Sequence, residues 1–339
     1  MTNVRVLVSQ SFDPWLNLAT EEWIFRDMDP TVQTLFLWRN DHTVVIGRSQ
    51  NPWAECNLVK MHEDGVRLAR RTSGGGAVYQ DLGNTCFTFL SPKEGYDRTV
   101  NSNIILKALE TFGIRGEASG RNDLVLPSDD GPRKFSGSAF RETRDRSFHH
   151  GTVLMSTDLT RLSEYLTPHP KKLQSKGRAS VRARVMNLIE VAPKISHDVL
   201  CPAIIKAFFE TYQSQCEIEL LDPTKISLEK SLQEKYEELK SWEWRFGHAP
   251  QFQQQLTEYL SWGFVEVFID SENGHITRAA VYSDSLFPQL IEGLALALRG
   301  QPYSQQGVAL AAEALREAAP AHIAEINEFE LWMKSQVEI

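Results

Sequence analysis

The sequence predicts an α+β protein with two parts: a large first domain of mixed sheets flanked by helices, and a smaller α+β domain after it. The chain has 339 residues, which exceeds one average domain and falls short of three. Hydrophobic residues make up 42% and charged residues 24% of the chain, as in globular proteins that bury a core. Strand-like stretches alternate with helical patterns in the first half, whereas a hairpin followed by helices ends the chain.

Strands and helices alternate through the first half. Asp13 followed by Pro14 begins a helix, because Asp caps helix N-termini and Pro is favoured at the first helical position. Apolar residues continue at helical spacing to residue 25. The strand-like stretches are residues 5–8, 35–38, 44–47, 66–69 and 84–90. Further helical patterns cover residues 101–112, 159–166 and 198–212.

A domain boundary is predicted where the charged, amphipathic stretch 227–240 gives way to the aromatic segment 241–247 and Pro250. We therefore expect a first domain over residues 1–246 and a second over residues 253–339. The second domain begins with a hairpin around Asn273-Gly274, a dipeptide that favours tight turns, and continues with helices rich in Ala and Leu. The hairpin strands are residues 263–269 and 276–282.

Composition excludes several classes of function. The net charge of -8 argues against a general nucleic-acid binder, because phosphate backbones attract basic surfaces. No apolar run approaches the roughly 20 residues that span a bilayer, and the first residues lack the layout of a signal peptide. We therefore expect a cytoplasmic protein without a membrane partner. The 4 cysteines contain no CxxC pair, so they indicate neither a disulfide framework nor a zinc site.

The most informative segment is residues 70–81, RRTSGGGAVYQD, directly after a strand-like stretch. Three successive glycines lack Cβ atoms, so their backbone can approach a ligand closely and present N–H groups to an anion. The two arginines add positive charge suited to phosphate or carboxylate. A flexible turn with surface arginines is the alternative interpretation. Neither a Walker A loop nor a GxGxxG motif is present, so a phosphate site here belongs to another class.

Two later segments supply further candidates. Lys134 precedes small residues and a returning strand, which makes it a candidate fixed cation in a pocket, and Asp123 is a candidate magnesium ligand. The alternatives are an exposed lysine and a turn aspartate. His149 and His150 are adjacent on a predicted strand and therefore point to opposite faces, so at most one lines a pocket. A structural histidine is the alternative there.

A basic segment covers residues 171–184. It contains six cationic side chains and no acidic one: Lys171, Lys172, Lys176, Arg178, Arg182 and Arg184. The segment is a candidate anion-binding loop. A solvated basic surface is the alternative interpretation.

These segments, in this order, resemble the lipoate-protein ligase A family within the biotin and lipoate ligase fold. The matching motifs are residues 13–19, 38–40, 45–48, 50–52, 71–78, 122–123, 134–139, 150–152, 176–177 and 180–182. The resemblance extends over nearly the whole chain and implies a biotin/lipoate ligase-like catalytic domain followed by a small accessory domain. At one position the chain departs from the pattern: Gln80 stands where relatives often carry histidine, so we assign no catalytic role to it.

The resemblance also implies roles for individual residues. Lys134 is similar to the family's essential lysine, placed between the lipoate carboxyl group and the α-phosphate of ATP, and is the expected catalytic residue. The expected ATP-binding residues are Arg71, Gly76, Ala77, Val78, Tyr79 and Lys134. The expected lipoate-binding residues are Ser73, Gly74, Gly75, Lys134 and His150. An adenylate-binding loop is expected at Lys176, Gly177, Ser180, Val181, Arg182 and Arg184. The magnesium ligand expected from the chemistry is Asp123.

The implied activity is that of an ATP-dependent ligase. It converts lipoate to lipoyl-AMP with release of pyrophosphate, and then transfers the lipoyl group to a lysine of a lipoyl domain. ATP, Mg²⁺ and lipoate are the expected small molecules. The expected partners are the lipoyl domains of 2-oxoacid dehydrogenase complexes and the glycine cleavage H protein, and the chain is expected to be a monomer.

Three alternatives are open. An octanoyl transferase of the same fold carries a Pro-Cys-Gly motif where this chain has Pro168-His169-Pro170, so its nucleophilic cysteine is missing. A biotin ligase carries a Gly-Arg-Gly-Arg loop in place of Ser-Gly-Gly-Gly. A non-catalytic lipoyl-domain-binding protein is disfavoured because the chain has the loop, Arg71 and Lys134.

Overall fold

The structure is a computed structural model that describes residues 2–27, 29–50, 52–94, 96–120, 122–166, 185–226, 229–246, 254–272 and 275–337. The strands are β1 (Val4–Ser9), β2 (Gln33–Trp38), β3 (Thr43–Ile46), β4 (Arg67–Arg70), β5 (Val78–Gln80), β6 (Asn84–Pro92), β7 (Glu117–Ser119), β8 (Asp123–Leu126), β9 (Arg133–Glu142), β10 (Arg146–Leu154), β11 (Ile218–Leu221), β12 (Gln254–Leu260), β13 (Gly263–Glu272) and β14 (His275–Ser283).

The helices are α1 (Pro14–Asp27), α2 (Pro52–Glu55), α3 (Leu58–Glu63), α4 (Arg98–Glu110), α5 (Leu159–Tyr165), α6 (His197–Tyr212), α7 (Pro223–Ile226), α8 (Lys230–Lys240), α9 (Trp242–Arg245), α10 (Pro288–Leu298), α11 (Gln305–Ala318) and α12 (Ile323–Gln336). Short 3₁₀ helices lie at Leu188–Glu190 and Pro320–His322. In the part of the chain that the structure describes, no helix is both long and apolar enough to cross a bilayer.

An eight-stranded mixed sheet forms the centre of the first part of the chain, in the order β11-β1-β2-β6-β10-β9-β8-β7. The pairs β11/β1 and β1/β2 are parallel, and the pairs from β2/β6 onwards are antiparallel. Strand β6 is buried along almost its whole length, as expected for a strand covered on both faces. A second, three-stranded sheet has the order β4-β3-β5.

Two hydrophobic clusters cover the two faces of the large sheet. On one face, β1, β2 and β6 pack against α4 and α6. On the other face, α1, α8 and the small sheet pack against β2, β6 and β10. This second face, between the large sheet and the small one, is where the candidate site lies.

The last part of the chain has its own core. Strands β12-β13-β14 form an antiparallel sheet, and apolar side chains of α10, α11 and α12 pack against it. The hairpin β13/β14 contains an irregularity in register between Asp270 and Ser271. The predicted α+β class, with mixed sheets flanked by helices and a small sheet-and-helix domain at the end, is confirmed.

The first helix shows why local sequence predicted so many elements. Oδ1 of Asp13 accepts hydrogen bonds from the backbone N–H groups of Trp15 (2.8 Å) and Leu16 (3.0 Å), and Pro14 occupies the first helical position. The predicted strands and helices of the first half all exist, with ends displaced by a few residues. The predicted limits of the two domains remain a prediction, because residues 247–253 lie outside the described residues.

Candidate active site

A cavity of about 180 Å³ opens between the large sheet and residues 71–78, the glycine loop. The predicted site residues that line it are Arg71, Gly75, Gly76, Ala77, Val78, Lys134 and His150. Ser73, Gly74 and Tyr79 are not among the lining residues. Ser73 and Tyr79 are buried, and Tyr79 packs against Tyr165 with ring centroids 5.5 Å apart. The structure therefore gathers residues from three separate sequence segments around one space.

Lys134 provides a cation at this cavity. Its Nζ atom lies 2.6 Å from Oδ1 of Asp123, and both side chains are about one-third exposed, at 36% and 35%. A Cβ atom added to Gly137 would lie 2.8 Å from this Nζ atom, so the end of the lysine side chain passes close to the backbone of β9. Lys134 is thus held at the cavity by its ion pair with Asp123.

Asp123 is suited to a magnesium ion that is held mainly by a nucleotide. Mg²⁺ commonly takes one or two protein carboxylates together with phosphate oxygens and water. Within the described ranges, no group of three or more His, Cys, Asp or Glu side chains is placed to hold a metal by itself. The single carboxylate of Asp123 beside Lys134 fits a Mg²⁺ site in which phosphate oxygens of a nucleotide supply further ligands.

The guanidinium group of Arg71 is occupied by the protein. It donates to the carbonyl oxygens of Val45 (3.2 Å), Gly74 (2.8 Å) and Gly76 (2.8 Å), and its Nε atom donates to Ser73 Oγ at 3.2 Å. Burial lowers its pKa to about 10, which still leaves it charged at neutral pH. Arg71 therefore shapes the glycine loop, and its predicted contact with a nucleotide remains a prediction.

The glycines of the loop allow protein contacts that the sequence alone does not indicate. Gly75 has a φ of 95°, in the left-handed region, and its N–H donates to the carbonyl oxygen of Ser285 at 2.8 Å. A Cβ atom on Gly74 would lie 2.3 Å from the same carbonyl oxygen. A Cβ atom on Gly76 would meet nothing within 4 Å. Two of the three glycines are thus required where the last part of the chain docks on the loop.

Further contacts join the last part of the chain to the first. The Ser283 N–H donates to the carbonyl oxygen of Ser49 at 2.5 Å, and Arg48 forms an ion pair with Glu292. Arg70 donates to the carbonyl oxygens of Trp244 and Arg245 at 2.9 and 2.8 Å, which fixes the segment after α8 against β4. These contacts hold residues 48–49 and Arg70, which flank the glycine loop in the fold and in sequence, against later parts of the chain.

His150 lies at the cavity wall within a buried chain of hydrogen bonds. Its Nε2 atom lies 2.8 Å from Ser73 Oγ, and its Nδ1 atom lies 2.8 Å from Glu21 Oε1. Thr88 Oγ1 donates to the same Glu21 oxygen at 2.6 Å. Both ring nitrogens of His150 are thus engaged with protein groups.

His149 points to the opposite face of β10, as strand geometry predicted. Its ring packs among Phe87, Phe89 and Phe140 at centroid distances of 4.5 to 6.2 Å. Neither ring nitrogen has a hydrogen-bond partner among the described residues, and burial lowers the pKa of His149 to about 3. It is a neutral core side chain.

Two buried glutamates of α1 are functional candidates that sequence reasoning missed. Glu21 and Glu22 are 2% and 1% exposed. Glu22 accepts from Thr72 Oγ1 at 3.1 Å and forms an ion pair with Arg141 at 2.5 Å. The signal was present: two adjacent charges within an otherwise buried helical stretch need partners, because an unpaired buried charge is very costly.

Sequence reasoning also missed an apolar part of the cavity lining. It is formed by Leu18, Trp38, Val45 and Cys86. Burial raises the pKa of the Cys86 thiol, so this cysteine stays protonated. Gln80, to which no role was assigned, also lines the cavity, and its Oε1 atom accepts from Asn40 Nδ2 at 2.8 Å.

The predicted adenylate-binding loop cannot be placed. Lys176, Gly177, Ser180, Val181, Arg182 and Arg184 lie outside the described residues.

Similarity to known proteins covers both parts of the chain. The family described as the lipoyl protein ligase A/B catalytic domain matches residues 13–209, and the family described as the bacterial lipoate protein ligase C-terminus matches residues 249–333. Over 339 residues, which cover 100% of both chains, the sequence is 53% identical to lipoate-protein ligase A of Bdellovibrio bacteriovorus.

Two solved structures are also similar. P. falciparum LipL1, solved in complex with lipoate, has a TM-score of 0.86 and 32% identity, and the match covers 98% of this chain and 100% of that one. The bipartite lipoate protein ligase of Thermoplasma acidophilum, described together with its E2 lipoyl domain, has a TM-score of 0.65 and 26% identity, covering 75% and 100%.

Proposed function

Because the chain belongs to the lipoate-protein ligase A family, we propose that it activates lipoate with ATP and transfers the lipoyl group to a lysine of an acceptor lipoyl domain. The observation that carries the proposal is that Lys134 and the apolar side chains of Leu18, Trp38 and Val45 line one cavity. A fatty carboxylate with an apolar tail is complementary to this arrangement.

In the first step, a carboxylate oxygen of lipoate attacks the α-phosphorus of ATP. The bond from that phosphorus to the pyrophosphate oxygen breaks, and lipoyl-AMP and pyrophosphate are formed. Negative charge accumulates between the two reactants, and a fixed cation offsets it. Lys134 is the residue we assign to this task, with Asp123 holding its ammonium group in place.

A magnesium ion bound with ATP supplies further charge neutralisation, and Asp123 is the carboxylate we expect to hold it. The glycine loop positions the nucleotide through Gly76, Ala77 and Val78. Arg71 also lines the cavity and holds the loop in shape, whereas the buried Tyr79 packs against Tyr165.

In the second step, the acceptor lysine attacks the carbonyl carbon of lipoyl-AMP, and AMP leaves. The amine must be neutral, and at a reference pKa of about 10.4 only about one molecule in 2,500 is neutral at pH 7. The site therefore has to offset about 4.6 kcal/mol or shift that pKa. Exclusion of water before the acceptor binds protects the mixed anhydride, and we assign that task to the loop containing Lys176, Gly177, Ser180, Val181, Arg182 and Arg184.

Lipoyl domains are the proposed partners: those of 2-oxoacid dehydrogenase complexes and the glycine cleavage H protein. The archaeal relative described with its E2 lipoyl domain supports this class of acceptor. We propose that the chain acts as a monomer in the cytoplasm, with a catalytic domain over residues 1–246 and an accessory domain over residues 253–339.

An octanoyl transferase is the competing function. Such an enzyme needs a cysteine thiolate, and Cys86 is the cysteine that lines the cavity among the described residues. Its raised pKa disfavours that role. The ATP-dependent route is therefore favoured.

The experiment is incubation of the purified protein with ATP, Mg²⁺, lipoate and an unlipoylated lipoyl domain, followed by intact-mass measurement of the acceptor. We expect a lipoyl-sized mass gain that requires ATP and is lost in Lys134→Ala. Lys206→Ala is the matched control, because this lysine is 73% exposed on α6 and pairs with Glu210 away from the cavity. Acyl transfer from an acyl carrier without ATP would indicate a transferase, and binding without any mass gain would indicate a non-catalytic protein.

A further inference from the structure

We infer that Glu21 is a positioning residue that, through His150 and Ser73, holds the glycine loop in the shape that forms the lipoate cavity. The inference deepens the proposed function, on which its lipoate-binding part rests. It depends on a continuous set of buried contacts that runs from helix α1 to the loop across the face of the large sheet.

The burial of Glu21 requires this network. Its carboxylate is 2% exposed, so each of its oxygens needs a hydrogen-bond donor. Oε1 receives Thr88 Oγ1 at 2.6 Å and faces His150 Nδ1 at 2.8 Å, and Oε2 lies 3.0 Å from the same nitrogen. An ionised carboxylate only accepts hydrogen bonds, so His150 Nδ1 carries a hydrogen and donates it.

The contacts continue from the ring to the loop. The Nε2 atom of His150 lies 2.8 Å from Ser73 Oγ, within hydrogen-bond distance. Ser73 Oγ in turn accepts from Arg71 Nε at 3.2 Å. Glu21, His150, Ser73 and Arg71 therefore form a continuous chain of hydrogen-bond contacts from α1 to the arginine that organises the loop.

His150 lines the cavity while both of its ring nitrogens are engaged with protein groups. His150 then serves as a rigid lining residue against which lipoate packs. Its position depends on the hydrogen bonds to Glu21 and Ser73, since a binding site with loosely held side chains loses its geometry.

The loop has a second tie to α1 that does not depend on Glu21. Glu22 holds Thr72 and Arg141 through its own carboxylate. Removal of the Glu21 charge should therefore loosen the loop at Ser73 without unfolding the protein. The neutral isostere Glu21→Gln is the first test variant.

The chain offers a matched pair of threonines on β6. Thr88 supports Glu21, whereas Thr85 faces the other side of the sheet and contacts His197 Nδ1 at 3.0 Å. Both are fully buried, and each hydroxyl has a second contact: Trp38 Nε1 donates to Thr88 Oγ1 at 3.1 Å, and Thr85 Oγ1 donates to Met155 Sδ at 3.4 Å. Substitution by valine therefore removes two hydroxyl contacts at either position. Thr88→Val tests the network, and Thr85→Val controls for the general cost of removing a buried hydroxyl group.

The experiment measures amide hydrogen exchange of the peptide that covers residues 71–78, together with lipoate affinity by calorimetry. We expect Glu21→Gln to raise exchange in this peptide and to weaken lipoate binding, each about tenfold, as the loss of one buried hydrogen-bond partner implies. The Gly75 amide is the most informative, because it is bonded to Ser285. In turnover, KM for lipoate should rise about tenfold with kcat changed less than about threefold.

Thr88→Val should act in the same direction as Glu21→Gln, and Thr85→Val should leave loop exchange at the wild-type rate. Unchanged loop exchange in Glu21→Gln and Thr88→Val would overturn the inference, as would an equal rise in Thr85→Val. If Glu21→Gln does not fold, the comparison of loop exchange between Thr88→Val and Thr85→Val tests the inference by itself. A wild-type protein without ligase activity, but with loop exchange that responds to Glu21 and Thr88, would refute the proposed function and leave the positioning role of Glu21 supported.

Discussion

The Nζ atom of Lys134, a residue that lines the cavity, lies 2.6 Å from Oδ1 of Asp123, and both side chains remain partly accessible. The ion pair orients the ammonium group while leaving it able to meet a substrate. It also places a carboxylate where a nucleotide-bound Mg²⁺ is expected. Asp123 therefore has two candidate roles, the orientation of Lys134 and the binding of Mg²⁺, and substitution by asparagine distinguishes them.

Asp123→Asn is expected to raise the Mg²⁺ concentration needed for half-maximal lipoate-dependent ATP–pyrophosphate exchange about tenfold, because a carboxylate ligand is replaced by a weaker amide oxygen. Asp145→Asn is the control, since Asp145 is exposed and pairs with Arg146. A lower rate with an unchanged Mg²⁺ midpoint would restrict Asp123 to the orientation of Lys134.

Arg71→Lys is expected to destabilise the fold by about 1–3 kcal/mol, because one ammonium group cannot satisfy three separate backbone carbonyl groups and Ser73. Urea unfolding provides the measurement. Arg5→Lys is the control, since Arg5 forms an exposed pair with Glu219 at 2.7 Å. Wild-type stability combined with weakened ATP binding would instead assign the guanidinium group to the nucleotide.

Gly75→Ala is expected to cost about 1–2 kcal/mol of unfolding free energy from its left-handed backbone conformation alone, with a further cost from the contact of the new Cβ atom with Arg71. Gly76→Ala is the matched control for stability, because a Cβ atom there meets nothing within 4 Å. Thermal unfolding of the two variants gives the comparison. Equal melting temperatures would contradict the assignment of Gly75 to protein contacts.

Acidification is expected to destabilise the protein below about pH 6.5, in part through His149. The pKa of His149 is about 3 in the folded protein, whereas an exposed histidine of the unfolded chain has a pKa of about 6.5. Between these values the unfolded chain binds the additional proton, so stability falls as the pH falls. The contribution is at most about 1.4 kcal/mol per pH unit.

His149→Leu should remove this contribution, because leucine suits the apolar surroundings and does not titrate. Urea unfolding at pH 7, 6 and 5 should then give a shallower dependence of unfolding free energy on pH than in the wild type. His197, whose pKa burial lowers to about 4, provides a second contribution that stays in the variant. An identical slope in both proteins would rule out the buried, neutral state of His149.

Local sequence was enough to predict most elements because each is encoded by neighbouring residues. The Asp13 cap and Pro14 determine where α1 begins, and apolar periodicity determines its length. Alternation along β10 determined that His149 and His150 face opposite ways. The family and its expected Lys134, Asp123 and glycine loop followed from motifs of a few residues each.

Tertiary structure decided what the side chains of those motifs contact. Glu21 and His150 are 129 positions apart in sequence, and Ser73 and His150 are 77 apart, so no local pattern joins them. The docking of Ser285 on Gly74 and Gly75 likewise depends on packing between distant segments. Residue type and spacing determined which chemistry this protein carries. Burial determined which polar groups remain free to act, because each buried charge or donor has to be satisfied by whatever the fold brings beside it.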